Sequence, residues 1–315
     1  MFYVAILVLI ALADVAVFWI WTRLLAATAE KTAPEIGSVI AVEGGDIHYT
    51  DAGPREARVV VLIHGLAGNM RNFHYGMIED LSQEFRVITI DRPGSGYSTR
   101  QSDDLASLSA QSAMVWAFLD KIGAERPVLV GHSLGGALSL AMAMDRKGEV
   151  GALALVAPLT AAMSEPPPVF KPLRIASPAI RRFIGHTLAA PIARMTSKTV
   201  VREVFAPEEP PADFMSRGGG ILGMRPKAFI TASADLIGVH ASMAEQGARY
   251  ASDLDVPGGI LFGTDDNLLA PDVHGRPMEK FGLGYETLPG RGHMIPVTAP
   301  EACSDFVRRM ASLSG

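Results

Sequence analysis

Short apolar runs recur along this chain, and each stops abruptly at a polar or glycine-rich turn. Val59-Val-Val-Leu-Ile63 ends at His64-Gly65-Leu66-Ala67-Gly68, and Phe85-Arg-Val-Ile-Thr-Ile90 ends at Asp91-Arg92-Pro93-Gly94-Ser95-Gly96-Tyr97-Ser98. Pro127-Val-Leu-Val130 runs into Gly131-His132-Ser133-Leu134-Gly135-Gly136, and Ala152-Leu-Ala-Leu-Val-Ala157 into Pro158-Leu159. Val256-Pro-Gly-Gly-Ile-Leu-Phe262 and Tyr285-Glu-Thr-Leu288 complete the series. Runs this short, bounded by turn formers, predict strands, and those at 59–63, 85–90 and 127–130 read as buried. Helical patterns separate them. Leu105 to Ile122 carries Met114, Phe118 and Ile122 at helical spacing, Ser133 to Met144 is small and apolar, and Pro300 to Leu313 predicts a last helix. Strands alternating with helices imply a mostly parallel sheet flanked by helices. Val39 to Val42 and Asp46 to Thr50, joined at Gly44-Gly45, predict an antiparallel hairpin that opens the sheet.

Two stretches break this rhythm. Phe2 to Trp21 is an almost unbroken apolar run, interrupted only by Asp14, and matches one bilayer span. Phe2-Tyr3 at one end and Phe18-Trp19 with Trp21 at the other resemble interfacial aromatic belts. A retained anchor over residues 1–24 is the leading reading, because a signal-peptide core is usually shorter and preceded by positive charge. A cleaved signal, with Ala27-Thr28-Ala29 as its site, and a helix covering the protein's own surface are the alternatives. Residues 25–37 then read as a linker, and a chain shortened to begin near residue 32 should fold. Arg23 and Lys31 follow the span, which leans toward a cytoplasmic face by two charges only. The second stretch, about residues 160–250, is punctuated by Glu165-Pro-Pro-Pro168, Glu208-Glu209-Pro210-Pro211 and the glycines 218–220, a predicted flexible point. Its basic residues Lys171, Arg174, Arg181, Arg182, Arg194, Lys198 and Arg202 run with no acidic residue between them.

The chemistry concentrates at Gly131-His132-Ser133-Leu134-Gly135. A serine on a sharp strand-to-helix turn needs glycine two residues before and after it, because larger side chains would strike the neighbouring backbone. With the His-Gly turn after one strand and Asp-x-Pro-Gly-x-Gly-x-Ser after the next, the chain resembles the α/β-hydrolase superfamily over about residues 38–312. The resemblance implies an eight-stranded, mostly parallel sheet with a helical cap inserted at about 160–250, in a hydrolase domain spanning 38–315. It also implies the order nucleophile, acid, base. Ser133 matches the nucleophile. Asp266 in Gly263-Thr264-Asp265-Asp266 matches the acid, with Asp265 competing, and His293 in Gly292-His293 matches the base. An imidazole can take the serine proton, the carboxylate fixes its tautomer, and the Leu66 and Leu134 backbone N–H groups would form the oxyanion hole. His64 reads as a turn-fixing residue, and His132 sits at the variable position of the turn.

Composition narrows the rest. The formal net charge of −5 argues against general nucleic-acid binding. His48, His74, His186, His240 and His274 show no metal-ligand spacing, no dinucleotide or phosphate-loop fingerprint is present, and no cofactor is expected. The single cysteine, Cys303, excludes an intrachain disulfide and reads as a packed residue. The expected partner is a small-molecule or lipid-like ester, with membrane association through residues 2–21; nothing in the chain sets its oligomeric state. Carbon–carbon or amide hydrolysis on the same residues, and a non-catalytic binding protein on the same fold, are the competing readings. Serine rather than aspartate at 133 disfavours the epoxide hydrolases and haloalkane dehalogenases of the superfamily.

Overall fold

The computed structural model describes residues 1–314. Eight strands form one sheet: β1 (Ser38–Val42), β2 (Gly45–Ala52), β3 (Val59–Ile63), β4 (Arg86–Ile90), β5 (Val128–His132), β6 (Ala152–Val156), β7 (Gly258–Gly263) and β8 (Gly284–Leu288). Their spatial order is β1-β2-β4-β3-β5-β6-β7-β8. The β1–β2 hairpin pairs Val42 with Gly45 across a turn at Glu43-Gly44, and β2 runs antiparallel to β4; all later pairs are parallel.

Both faces of the central strands are covered, which is why they read as continuous apolar runs. Val59, Val61 and Ile63 of β3 point to one face and Val60 and Leu62 to the other. The first face packs α3 (Leu108–Lys121), α4 (Leu134–Asp145) and the later turns of α7 (Pro226–Asp253); the second packs α2 (Met77–Leu81) and α10 (Pro300–Ser312). The helix expected from Leu105 breaks at Ser107, whose hydroxyl accepts from the Ala110 N–H and caps α3, so that only a 3₁₀ turn (Asp103–Ala106) precedes it. Between β6 and β7 lie α5 (Pro178–His186), α6 (Ala189–Phe205) and α7, the segment read as a cap. The end of α7 departs from that reading: Val239, Met243 and Tyr250 belong to the main core. Short helices α8 (Pro271–His274) and α9 (Ile295–Thr298) complete the fold.

The N-terminal helix α1 (Phe2–Thr32) is the main difference from expectation. It does not give way to a linker at residue 25 but continues for two more turns. Residues 2–21 stand away from the domain, whereas Thr22, Leu25, Ala29 and then Ala33 turn inward at helical spacing. Ala29 packs with Ala190 of α6 and with Met224, and the Thr22 hydroxyl donates to the Thr187 carbonyl at 2.5 Å. The following segment is also tied down: Tyr97 donates to the Ala33 carbonyl and Arg71 to that of Pro34. The glycines at 218–220 are likewise pinned, since the Asn72 and Asn69 amides donate to the Gly218 and Gly219 carbonyls.

Candidate active site

The sheet order brings the site together. From β3 the chain departs toward β4, and from adjacent β5 it departs the opposite way toward β6. Outside the carboxyl ends of such a strand pair the connections part and leave a crevice. The Leu66 turn follows β3 and Ser133 follows β5, so both face that crevice.

Ser133 holds φ 56° and ψ −121°, a conformation that costs a non-glycine residue on the order of 1–3 kcal/mol and persists only where the surroundings enforce it. Here the Ser133 N–H donates to the Val156 carbonyl at 3.1 Å and its carbonyl accepts from Leu159 at 2.9 Å, stapling the turn to the end of β6. The flanking glycines answer to space rather than to φ. A Cβ at Gly131 would lie 2.5 Å from the Gly135 carbonyl oxygen, and one at Gly135 would lie 2.1 Å from that of Ile63. A Cβ at Gly65 would come within 2.8 Å of the Ser133 Cβ, so this glycine keeps the approach to the hydroxyl open. Among the described residues, the Ser133 hydroxyl hydrogen-bonds no protein group and the Leu66 and Leu134 N–H groups donate to none.

His293 arrives on the loop after β8 and Asp266 on the loop after β7. Asp266 Oδ2 lies 2.7 Å from His293 Nδ1, while its Oδ1 accepts from the Leu268 and Leu269 N–H groups, both at 2.9 Å. Burial alone would push the Asp266 carboxyl up; His293 and the two N–H donors outweigh it and hold the carboxyl below its ordinary value. Of the two acidic candidates, only Asp266 meets the imidazole. Asp265 is exposed and accepts from the Thr264 hydroxyl.

Neighbouring histidines hold the frame. His132 Nε2 donates to the His293 carbonyl at 3.1 Å, and its ring lies against that of His293 with centroids 4.9 Å apart. Burial, reinforced by His293, lowers the His132 pKa to about 3, so this ring stays neutral. His64 donates from Nδ1 to the Gly65 carbonyl and accepts the Arg92 N–H at Nε2. Burial, then Arg92, lowers its pKa to about 4, consistent with a turn-fixing part. The Gly65 carbonyl also accepts from the Arg92 guanidinium at 3.1 Å. These bonds fix the Gly65–Leu66 peptide beside the crevice that Leu66 lines. Arg92 is itself fully buried and pairs with Asp235 of α7, which also binds Arg100.

Three contributors escaped the sequence pattern. The Leu268 and Leu269 N–H groups orient Asp266, and Glu208 accepts from the Gly292 N–H at 2.9 Å and pairs with Arg291, clamping the loop that carries His293. In sequence Glu208 was only part of a Glu-Pro divider, and nothing there signals a partner after β8. Cys303 is buried on α10, and burial pushes its thiol up. Among the described residues no three His, Cys, Asp or Glu side chains cluster as metal ligands.

Ser133 and His293 open onto a cleft of about 790 Å³, counting its mouth. Leu66, Leu134, Leu159, Met163, Leu236, Val239, Met243, Leu268 and Leu269 make its walls apolar, and Phe170, Arg174 and His240 contribute to its lining. Such a cleft suits an apolar molecule with its polar group at the Ser133 end.

Comparison with known proteins agrees with this architecture. The family profile for the alpha/beta hydrolase fold matches residues 58–300. A 2-hydroxy-6-oxononadienedioate/2-hydroxy-6-oxononatrienedioate hydrolase from a Pseudomonas species is 34% identical over 119 residues, 36% of this chain and 40% of that protein. The alignments with the first curated relatives span 31%, 33% and 40% of their lengths. Among solved structures, an alpha/beta hydrolase fold protein from Burkholderia ambifaria superposes with a TM-score of 0.71 at 22% identity, covering 85% of this chain and 95% of that one. A bacterial membrane phospholipase A superposes with a TM-score of 0.62 at 20% identity, over 99% of this chain and 98% of that one. On the sheet order, the strained serine turn and the match over residues 58–300, the chain belongs to the α/β-hydrolase superfamily.

Proposed function

We propose that this protein is a membrane-anchored serine hydrolase that cleaves a carboxylic ester of an apolar or lipid-like molecule through an acyl-enzyme. The observation that carries the reading is the strained Ser133 at the end of an apolar cleft it shares with His293, which is paired to buried Asp266. Ser133 Oγ attacks the ester carbonyl carbon while His293 Nε2 takes its proton. Asp266 keeps the other ring nitrogen protonated and stabilises the imidazolium. The Leu66 and Leu134 N–H groups receive the oxyanion, and they are free of protein acceptors among the described residues. Collapse expels the alcohol, protonated by His293; water activated by the same ring then releases the acid. Catalytic hydrogen bonds such as that from Ser133 to His293 often tighten only as substrate binds.

The anchor reading rests on α1. Its first twenty residues are mostly apolar, about long enough to cross a bilayer, and uncovered by the domain. Cleavage after Ala29 would strip residues that pack on Ala190 and Met224, which favours retention over a cleaved signal. Residues 22–33 then form a docking segment, followed by the hydrolase domain from residue 38, whose cap runs from about residue 160 into the first turns of α7. The superposed membrane phospholipase A adds a precedent for a membrane setting on this fold.

The test is turnover of a p-nitrophenyl ester series of increasing acyl length by the detergent-solubilised full chain. The reading expects hydrolysis that prefers acyl chains longer than acetyl and falls by about 10⁴-fold or more in Ser133→Ala. Absence of turnover across the series, or equal turnover by Ser133→Ala, would remove it. Turnover of amides with none of esters would transfer the same residues to the alternative chemistry.

A further inference from the structure

We infer that the outer face of α5 and α6 is a bilayer-docking surface, seated in the headgroup layer at the level where α1 leaves the domain. The inference rests on the reading of Phe2 to Trp21 as a span. Three observations carry it.

The first is register. Twenty helical residues rise about 30 Å, the thickness of the hydrocarbon core. Trp19 and Trp21 therefore fall at the membrane–water boundary, where tryptophan is favoured, with the Arg23 guanidinium 5.5 Å from the Trp19 ring centroid. Thr22 is the next residue, and its hydroxyl bonds to the Thr187 carbonyl in the turn between α5 and α6. That hydrogen bond places the α5–α6 turn at boundary level.

The second is the distribution of exposed apolar side chains. Beyond Thr32 eight large hydrophobic residues are exposed among the described residues, and five of them lie on α5 and α6. Ile180 and Phe183 are one turn apart on α5, and Ile192 and Met195 are one turn apart on α6; all are at least half exposed, Met195 the most at 78%. Each lies within eight residues of Thr187, about 12 Å along a helix axis, comparable to the depth at which amphipathic helices bury their apolar face in the headgroup region. Such a concentration beside the emerging span is not the scatter expected of an ordinary soluble surface.

The third is charge. The long basic stretch divides once the partners are visible. Arg181 is buried against Asp103 and Ser233, Arg182 also binds Asp103, and Arg174 and Arg202 pair with Glu165 and Glu209. Among the described residues Lys171, Arg194 and Lys198 form no ion pair, and Arg194 and Lys198 flank Met195 on α6. Apolar side chains bracketed by free cations are what a phosphate-bearing lipid surface accepts. Phe170 and Arg174 of the cleft lining directly precede α5, so this seating brings substrate access close to the lipid.

The experiment reconstitutes the full chain in vesicles of phosphatidylcholine and phosphatidylglycerol. An environment-sensitive fluorophore is placed on single cysteines in F183C, M195C, E125C and L9C, with Cys303 left buried and unlabelled. Nitroxide lipids quench either at the headgroup or along the acyl chain. The expected result is about twofold or greater headgroup quenching at 183 and 195, as for residues seated in that layer, none at 125, and acyl-chain quenching at 9. Quenching at 9 with 183 and 195 no different from 125 would overturn the docking surface and leave the span. No acyl-chain quenching at 9 would overturn the span, and the docking surface with it.

Discussion

Shortening the chain from the N-terminus separates a docked helix from a linker. A chain beginning at Thr22 keeps the inward-facing turns of α1; one beginning at Ala33 loses them. The loss can be worked from the contacts. Ala29 is completely buried and Leu25 half-buried against Ala190, Met224, Met215 and Ile221. Their burial is worth about 2 kcal/mol at 0.8 kcal/mol per buried methylene, and re-exposing their neighbours costs about 1 kcal/mol more. The Thr22–Thr187 hydrogen bond adds about 1 kcal/mol. Glu30, 3.8 Å from Arg225 and itself exposed, adds little. The total is about 4 kcal/mol, a large part of the 5–15 kcal/mol of a typical domain. Urea unfolding can be followed by tryptophan fluorescence, because removing Trp19 and Trp21 leaves buried Trp116 alone to report on the domain. The chain from Thr22 should unfold at markedly higher urea than the chain from Ala33, with similar slopes. Coincident midpoints would refute the reasoning and return residues 25–37 to the linker reading.

Three further predictions concern the site and its frame. Asp266→Asn should lower ester turnover by about 10⁴-fold, as loss of the orienting carboxylate does in a serine triad, whereas Asp265→Asn should leave it near wild type; steady-state kinetics of the two variants decides, and the reverse ranking would move the acid. Gly65→Ala should cut turnover by about 10²-fold through displacement of Ser133 with circular dichroism unchanged, since its Cβ would press on the Ser133 Cβ at 2.8 Å; undiminished turnover would show that this approach is not needed. Burial lowers the pKa values of His64, His132 and His274 to about 4, 3 and 4. The unfolded chain takes up protons below pH 6.5 that the folded chain refuses. Stability is therefore full above pH 6.5 and falls toward pH 4, by about 1.4 kcal/mol per pH unit for each histidine; urea midpoints that stay level from pH 7 to 5 would contradict this.

Which parts of this molecule could be read in advance follows from the range of the forces involved. The serine turn was legible because its requirements are local: Gly131 and Gly135 face backbone only a few residues or one strand away. The central strands were legible because two buried faces leave few polar positions. The inner end of α1 was not, because Thr22 and Ala29 make a stripe of small residues that no hydropathy pattern marks, and their partners lie some 160 residues away. The basic stretch could not be divided in the sequence for the same reason. Arg181 looks like its neighbours in sequence, but Asp103, 78 positions earlier, draws it inward. The glycines at 218–220 read as flexible until Asn69 and Asn72 are placed beside them. Glu208 carried no local mark of its contact with the His293 loop.

The central claim is that Ser133, activated through His293, is the nucleophile, and covalent labelling tests it most directly. The full chain is treated with a fluorophosphonate probe, digested, and mapped by mass spectrometry. The account predicts one stoichiometric adduct on the peptide containing Ser133, lost in Ser133→Ala and strongly slowed in His293→Ala while both variants remain folded. An adduct on another residue, or none on a folded wild-type chain, would contradict it.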